Sequence, residues 1–305
     1  ALVGVLTSGT ILTTSYLLFA VSRHVRIIPK YNKQEWKNII KTMWPIAVAI
    51  LFNVVYLKGD TLLLSWYADQ KAVGLYGGAY RVIDIITQTA MMLMGMMLPL
   101  FAASWAKKQE NDFAAYHKKA WLLMSVFILP ATIGGIILAE PIMVLVGGAA
   151  FAPASHMLRT LLLAVCGVSL SAIYGHMAVA TSRQKQTLPI YMGSASITLI
   201  GYLLFIPKYG ANGAAWMTVL SECLTGIGLM IALKYYTKSK LPLKQTALVA
   251  ISAIIMGLSL LPIQHLPLIF TVPFGASIYT AMLIIFGIFP KETLLAFIKY
   301  PSGSG

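Results

Sequence analysis

Long stretches of this chain carry no charge. Residues 1–22 are uncharged, and so are the 22 residues between Asp84 and Lys107, the 20 between Lys119 and Glu140 and the 23 between Arg159 and Arg183. A further 22 separate Lys185 from Lys208, and 46 separate Lys244 from Lys291. A bilayer core of roughly 30 Å is crossed by about 20 apolar helical residues. Barrel strands would be about 10 residues long and would alternate in polarity. These runs are twice that length and do not alternate, so they read as transmembrane helices.

The longest run divides into two spans at Leu261-Pro262-Ile263-Gln264-His265-Leu266-Pro267. Two more spans carry charge inside them: 42–66 holds Lys58 and Asp60, and 213–234 holds Glu222. The expectation is an all-α integral membrane protein of about nine transmembrane helices with short connections and no separate folded domain. Composition agrees: 58% of the 305 residues are apolar and 10% are charged, against about 25% charged in soluble domains. That excludes a soluble globular domain and a disordered chain. Cys166 and Cys223 lie inside apolar runs, so neither a disulfide framework nor a metal cluster is expected.

Basic residues set the expected orientation. With nine spans, loops alternate sides, and 18 of the 23 Lys and Arg residues fall on one side, in loops 23–41, 107–119, 183–185, 234–244 and the C-terminal segment. Lys71 and Lys208 are the clear loop residues opposite. The rich side is read as cytoplasmic, C-terminus included. The net charge of +14 then reflects membrane topology, and no nucleic-acid partner is expected. The chain starts at Ala1-Leu2-Val3, already inside a span, and reads as the C-terminal part of a longer protein. Segment 23–41 mixes basic residues with Ile27, Ile28, Trp36, Ile39 and Ile40, the pattern of an interfacial stretch in contact with membrane lipids. Segments 73–80 (VGLYGGAY) and 209–216 (YGANGAAW) look like outer-side turns that open returning helices, and 140–155 looks like a re-entrant or lip segment.

Charges within spans are costly, roughly 2.5–3.5 kcal/mol for a central Lys, Arg or Asp on insertion scales, and so are informative. Lys58, Asp60, Arg81, Asp84 and Glu222 cluster in three helices. Arg81 and Asp84 are three apart and share a helix face, whereas Lys58 and Asp60 are two apart and do not. These four charges pair across a hairpin, either as an ion network that sets helix register or as the wall of a water-filled cavity that meets a charged solute. Arg159 opens a span near the outer face, as interfacial anchor or as ligand contact. His176 lies mid-span near Ser171 and Tyr174, as a hydrogen-bonded packing residue or a titrating group. Met91, Met92, Met94, Met96 and Met97 form an adaptable apolar stripe suited to core or lipid contact. No phosphate loop, zinc spacing or Ser/His/Asp arrangement stands on any loop, so no metal, cofactor or catalytic residue is expected.

Residues 60–64 (DTLLL), 73–81 (VGLYGGAYR) and Leu98-Pro99 resemble the seventh and eighth helices of lipid-linked polysaccharide flippases of the Wzx type. These belong to the superfamily of multidrug, oligosaccharidyl-lipid and polysaccharide transporters. Pro141-Ile142-Met143 through Gly147-Gly148 looks like that family's outer loop before its tenth helix. Residues 206–216 (IPKYGANGAAW), followed by Ser221-Glu222, look like its eleventh-to-twelfth helix turn.

The resemblance implies a fourteen-helix, two-lobe, MATE-like fold in which the present spans are helices six to fourteen. Residues 1–24 would be the last helix of an N-terminal lobe, 25–41 a cytoplasmic amphipathic connector and 42–236 a six-helix C-terminal lobe. Residues 245–290 would be the final helix pair and 291–305 a cytoplasmic tail. It also implies a bacterial cytoplasmic-membrane transporter, not an enzyme. Its substrate would be an oligosaccharide on an undecaprenyl pyrophosphate carrier, moved from inner to outer leaflet for polysaccharides such as O-antigen, with H+ or Na+ as coupling ion. Lys58 and Arg81 would meet pyrophosphate or sugar, and Asp60 and Asp84 would hold them or meet hydroxyls, with Arg159, His176 and Glu222 as further cavity candidates. A lipid II flippase or a multidrug/cation antiporter on the same fold stays open as the alternative. A membrane glycosyltransferase would want a larger outer loop than those holding Asp69 or Glu140.

Overall fold

Two helices of this chain begin where a short polar side chain meets their free backbone N–H groups. Asn32 accepts from the Gln34 amide at 3.0 Å, with Glu35 in the first turn, where a carboxylate suits the helix dipole. Asp69 accepts from the Ala72 amide at 2.9 Å. The computed structural model describes residues 2–23, 32–237 and 240–288. Its elements are α1 (Leu2–Ser22), α2 (Lys33–Tyr67), α3 (Gln70–Ala106), α4 (Glu110–Ile137), α5 (Ala139–Gly147), α6 (Ser155–Ala180), α7 (Gln184–Thr237), α8 (Leu243–Leu260) and α9 (Leu268–Ile285). Two 3-10 turns, Ala149–Ala154 and Leu261–Ile263, complete them.

The chain divides into two compact units, Ala1–Val54 and Val55–Gly305. The first holds α1 and the opening of α2. There the Arg23 guanidinium lies 4.6 Å from the Phe19 ring centroid, a cation on an aromatic face at a helix end. Of the expected connector, 24–31 lies outside the described residues, and 33–41 is the start of α2, continuous with the span that follows.

In the second unit, α6 is buried on most faces and packs between α3 and α7. Glycines let the backbones approach. A Cβ on Gly167 would lie 2.5 Å from the Glu222 carbonyl carbon, and one on Gly226 would lie 2.5 Å from the Gly167 oxygen. Such small-residue contacts serve helix packing in lipid, where no hydrophobic force drives helices together. The pair α8–α9 docks on α4 through its own apolar core of Val249, Ala253, Met256, Leu260, Tyr279 and Leu283. Trp121 donates to the Thr246 hydroxyl at 3.0 Å, and Tyr279 donates to the Val126 carbonyl at 2.9 Å.

Helix α7 is two arms, 184–209 and 211–237, folded back at Gly210, whose φ of 56° and ψ of −136° leave the helical region. Glycine populates this backbone readily and other residues do not. The turn expected in 209–216 is therefore present, but the one expected in 73–80 is not. The cap at Asp69 starts α3 earlier, so VGLYGGAY is already helix and residues 68–69 make the turn. The segment 140–155 forms α5 and a 3-10 turn, with the Phe151 ring closed onto Gly78 and Gly147. The methionine stripe splits: Met94 is in the core, whereas Met92 and Met96 face outward.

Six helical segments among the described residues are long and apolar enough to cross a membrane, with α7 counted once. Outward faces carry large apolar side chains such as Ile85, Leu258, Ile269 and Phe270, a surface suited to lipid and not to water. The chain is an all-α membrane protein.

Candidate functional site

The candidate site grows from the α2–α3 hairpin. Lys58 and Asp60 are separated by roughly 200° around the helix axis, at about 100° per residue. Lys58 points outward and Asp60 inward, where Asp60 is 2% exposed. The Lys58 ammonium meets the Asp84 carboxylate across the hairpin at 3.9 Å, both side chains about half exposed (52% and 50%). It also lies 5.3 Å from the Tyr80 ring centroid. Arg81 is exposed one turn before Asp84 on α3.

The expected cross-hairpin pairing is met at Lys58–Asp84 and takes another form at Asp60. Asp60 accepts from the Tyr76 hydroxyl at 2.8 Å and from the Thr61 amide at 2.6 Å. A buried carboxylate needs donors for its lone pairs, and here a phenol and a backbone amide supply them. Tyr76 and Tyr80 lie with ring centroids 5.2 Å apart. The hydroxyl chain runs onward: Tyr76 is 3.5 Å from the Thr218 hydroxyl, which lies 3.1 Å from the Tyr202 hydroxyl. The network thus joins α2, α3 and both arms of α7.

A ladder of buried hydroxyls continues along α7. Ser194 meets Thr225 at 2.6 Å and Thr198 donates to Ser221 at 2.7 Å. With Tyr202–Thr218, numbers rise on one arm as they fall on the other, so the arms are antiparallel. A search for charge passes over Tyr76, Tyr80, Tyr202 and these hydroxyls. Their signal is spacing: Ser194, Thr198 and Tyr202 recur every four residues, and Thr218, Ser221 and Thr225 at intervals of three and four, one helix face each.

Three further candidates lie outside this network. Arg159 donates through Nε to the Ile136 carbonyl at 3.2 Å, satisfying an oxygen at the C-terminal end of α4 and placing positive charge where the helix dipole favours it. His176 bonds through Nδ1 to the Ala172 carbonyl one turn back at 2.8 Å, as a packing histidine does. Glu222 stands one turn beyond Thr218, its backbone against Gly167. Among the described residues, no group of three or more His, Cys, Asp or Glu gathers as a metal site.

Comparison with known proteins bears on the family and the fold. Residues 1–156 match a family described as polysaccharide biosynthesis protein. A protein of Haloferax volcanii provisionally named a low-salt glycan biosynthesis flippase, Agl15, is 22% identical over 293 residues, which covers 94% of this chain and 61% of that protein. A Shigella dysenteriae protein, provisionally named an O-antigen transporter, is 22% identical over 205 residues, 65% of this chain and 50% of its own length. The solved structure of the lipid II flippase MurJ in an inward closed conformation superposes with a TM-score of 0.73 at 17% identity, covering 86% of this chain and 57% of that one. At that identity the likeness speaks for the fold. The chain spans between half and about three fifths of the length of these three proteins.

Proposed function

The chain belongs to the polysaccharide biosynthesis protein family, and from that premise we propose that the protein to which it belongs is a flippase for lipid-linked oligosaccharides. Its substrate is a glycan unit on an undecaprenyl pyrophosphate carrier, moved from the inner to the outer leaflet of a bacterial cytoplasmic membrane, with H+ or Na+ as coupling ion. The observation that carries this reading is the half-exposed pair Lys58–Asp84 beside exposed Arg81. Charges inside a membrane span are unfavourable against lipid and belong against a water-filled cavity or another polar surface. A sugar pyrophosphate cannot cross hydrocarbon and needs such a lining, with cations for its phosphates and hydrogen-bonding groups for its hydroxyls.

In this reading Lys58 and Arg81 meet the anionic head group. Asp84 orients Lys58, and Asp60, with Tyr76, holds the hairpin to α7. Arg159, His176 and Glu222, engaged in the packing of α4, α6 and α7, belong to the frame. With α1, α2 and the two arms of α7 counted separately, the passes number nine, the last nine of a fourteen-helix two-lobe fold. Segment 42–236 is then the C-terminal lobe after an interfacial connector at 25–41, and 245–290 is a final pair before a cytoplasmic tail. The protein acts as a transporter and not as an enzyme.

The test is genetic. A strain lacking its own polysaccharide flippase receives the intact gene, and surface glycan and dye resistance are both scored. Restored glycan without dye resistance is the expected result. Dye resistance without glycan, across several carrier-linked sugars, overturns the reading in favour of a cation antiporter.

A further inference from the structure

Away from the hairpin, a cavity among the described residues joins a buried imidazole to two lysines. It has a volume of about 470 Å³ and is lined by His117 on α4, Tyr174 on α6, Lys234 at the end of α7 and Lys240 before α8. His117 is 1% exposed, and neither ring nitrogen has a hydrogen-bond partner. The Tyr174 ring stands edge-on to the imidazole with centroids 5.5 Å apart, which supports the ring without bonding its nitrogens. Buried polar groups are hydrogen-bonded as a rule, and an imidazole always offers at least one N–H. Lys234 and Lys240 are exposed, and each ammonium is a compact charge suited to phosphate oxygens. Met230, Leu241 and Leu243 complete the lining, an apolar flank suited to the first carbons of a lipid chain.

We propose that this cavity is a second anion site, which takes a phosphate group such as an anionic lipid carries in its headgroup. The two lysines receive the phosphate oxygens and His117 donates from the floor. Lys118 and Lys119 follow His117 on the same helix and are exposed, with the Lys119 ammonium 5.8 Å from the Tyr116 ring centroid. They do not line the cavity, so they separate a built site from general surface charge.

The full-length protein is reconstituted in phosphatidylcholine bilayers, with and without phosphatidylglycerol, and its melting temperature is measured. A parallel arm adds inorganic phosphate to the phosphatidylcholine sample. Phosphatidylglycerol is expected to raise the melting temperature. Lys234→Gln/Lys240→Gln is expected to lose more than half of that rise, and Lys118→Gln/Lys119→Gln to keep it. His117→Phe is expected to behave as the cavity lysine pair does; should it fail to fold, the lysine pairs decide alone. A rise with inorganic phosphate that the cavity pair abolishes identifies the occupant as free phosphate, and the site stands. The proposal is overturned if neither addition raises the melting temperature, if the cavity pair keeps the full rise, or if both lysine pairs lose equal shares of it. None of these outcomes depends on transport.

Discussion

Lys58 and Asp60 are neighbours in sequence with opposite tasks. Lys58 is half exposed, and its pair with Asp84 is long at 3.9 Å, so it adds little to stability, about 0–1 kcal/mol where water reaches it. Lys58→Ala and Arg81→Ala are therefore expected to leave the amount of protein in the membrane near normal and to lower glycan export at least about tenfold, roughly one strong charged contact. Immunoblot and surface-glycan assays read the two quantities. Recovery of export in Arg81→Leu/Asp84→Leu would defeat the contact role. Asp60 is the reverse case. Tyr76→Phe removes the 2.8 Å donor to its buried carboxylate and leaves an oxygen unmatched, which costs about 1–3 kcal/mol. The expected result is a lower melting temperature of the purified protein; an unchanged one would show that the phenol does not hold Asp60.

Between helices, two glycines set the geometry that carries the polar network. Gly210 holds the fold-back of α7 at φ 56°. A β-branched residue there is strained by about 1–3 kcal/mol, so Gly210→Val should lower the melting temperature and pull the Ser194–Thr225 ladder out of register. Gly167 lets α6 touch the α7 backbone at Glu222 and Cys223. Gly167→Val forces backbone from backbone and is expected to cost at least the roughly 1–3 kcal/mol of an overpacked core. Because Gly226 serves the same crossing, Gly167→Val/Gly226→Val should destabilise less than the sum of the single changes. Strict additivity in thermal unfolding would mean the two glycines act at separate contacts.

Across the membrane, the asymmetry of Lys and Arg predicts Asn111 on the cytoplasmic side and Asn212 outside. Both are exposed in the first turn of a helix, Asn111 at the start of α4 and Asn212 just after the fold-back at Gly210. Cysteine introduced at each position and probed in intact cells should label with an impermeant reagent at 212 and not at 111. The opposite pattern would invert the topology and move the lysine-rich ends, His117 cavity included, to the outer leaflet.

The apolar spans were legible in the charge gaps, because a hydrocarbon solvent tests each helix separately: length and charge alone decide whether a segment crosses it. The helix break at 261–267 and the fold-back near Gly210 were legible too, since proline and glycine act on the local backbone. The start of α3 was not: the opening turn was expected in 73–80, whereas the helix already begins at Gln70, after the Asp69 cap. Of the candidate site, the charged residues were visible in the sequence and their partners were not. Lys58 meets Asp84 and not Asp60 because the hairpin, and not the numbering, sets which faces oppose. Asp60 takes Tyr76, and Tyr76 comes within reach of Thr218 and Tyr202, because three helices converge at one depth. Spacing along a helix tells which side chains share a face; only packing tells which faces meet.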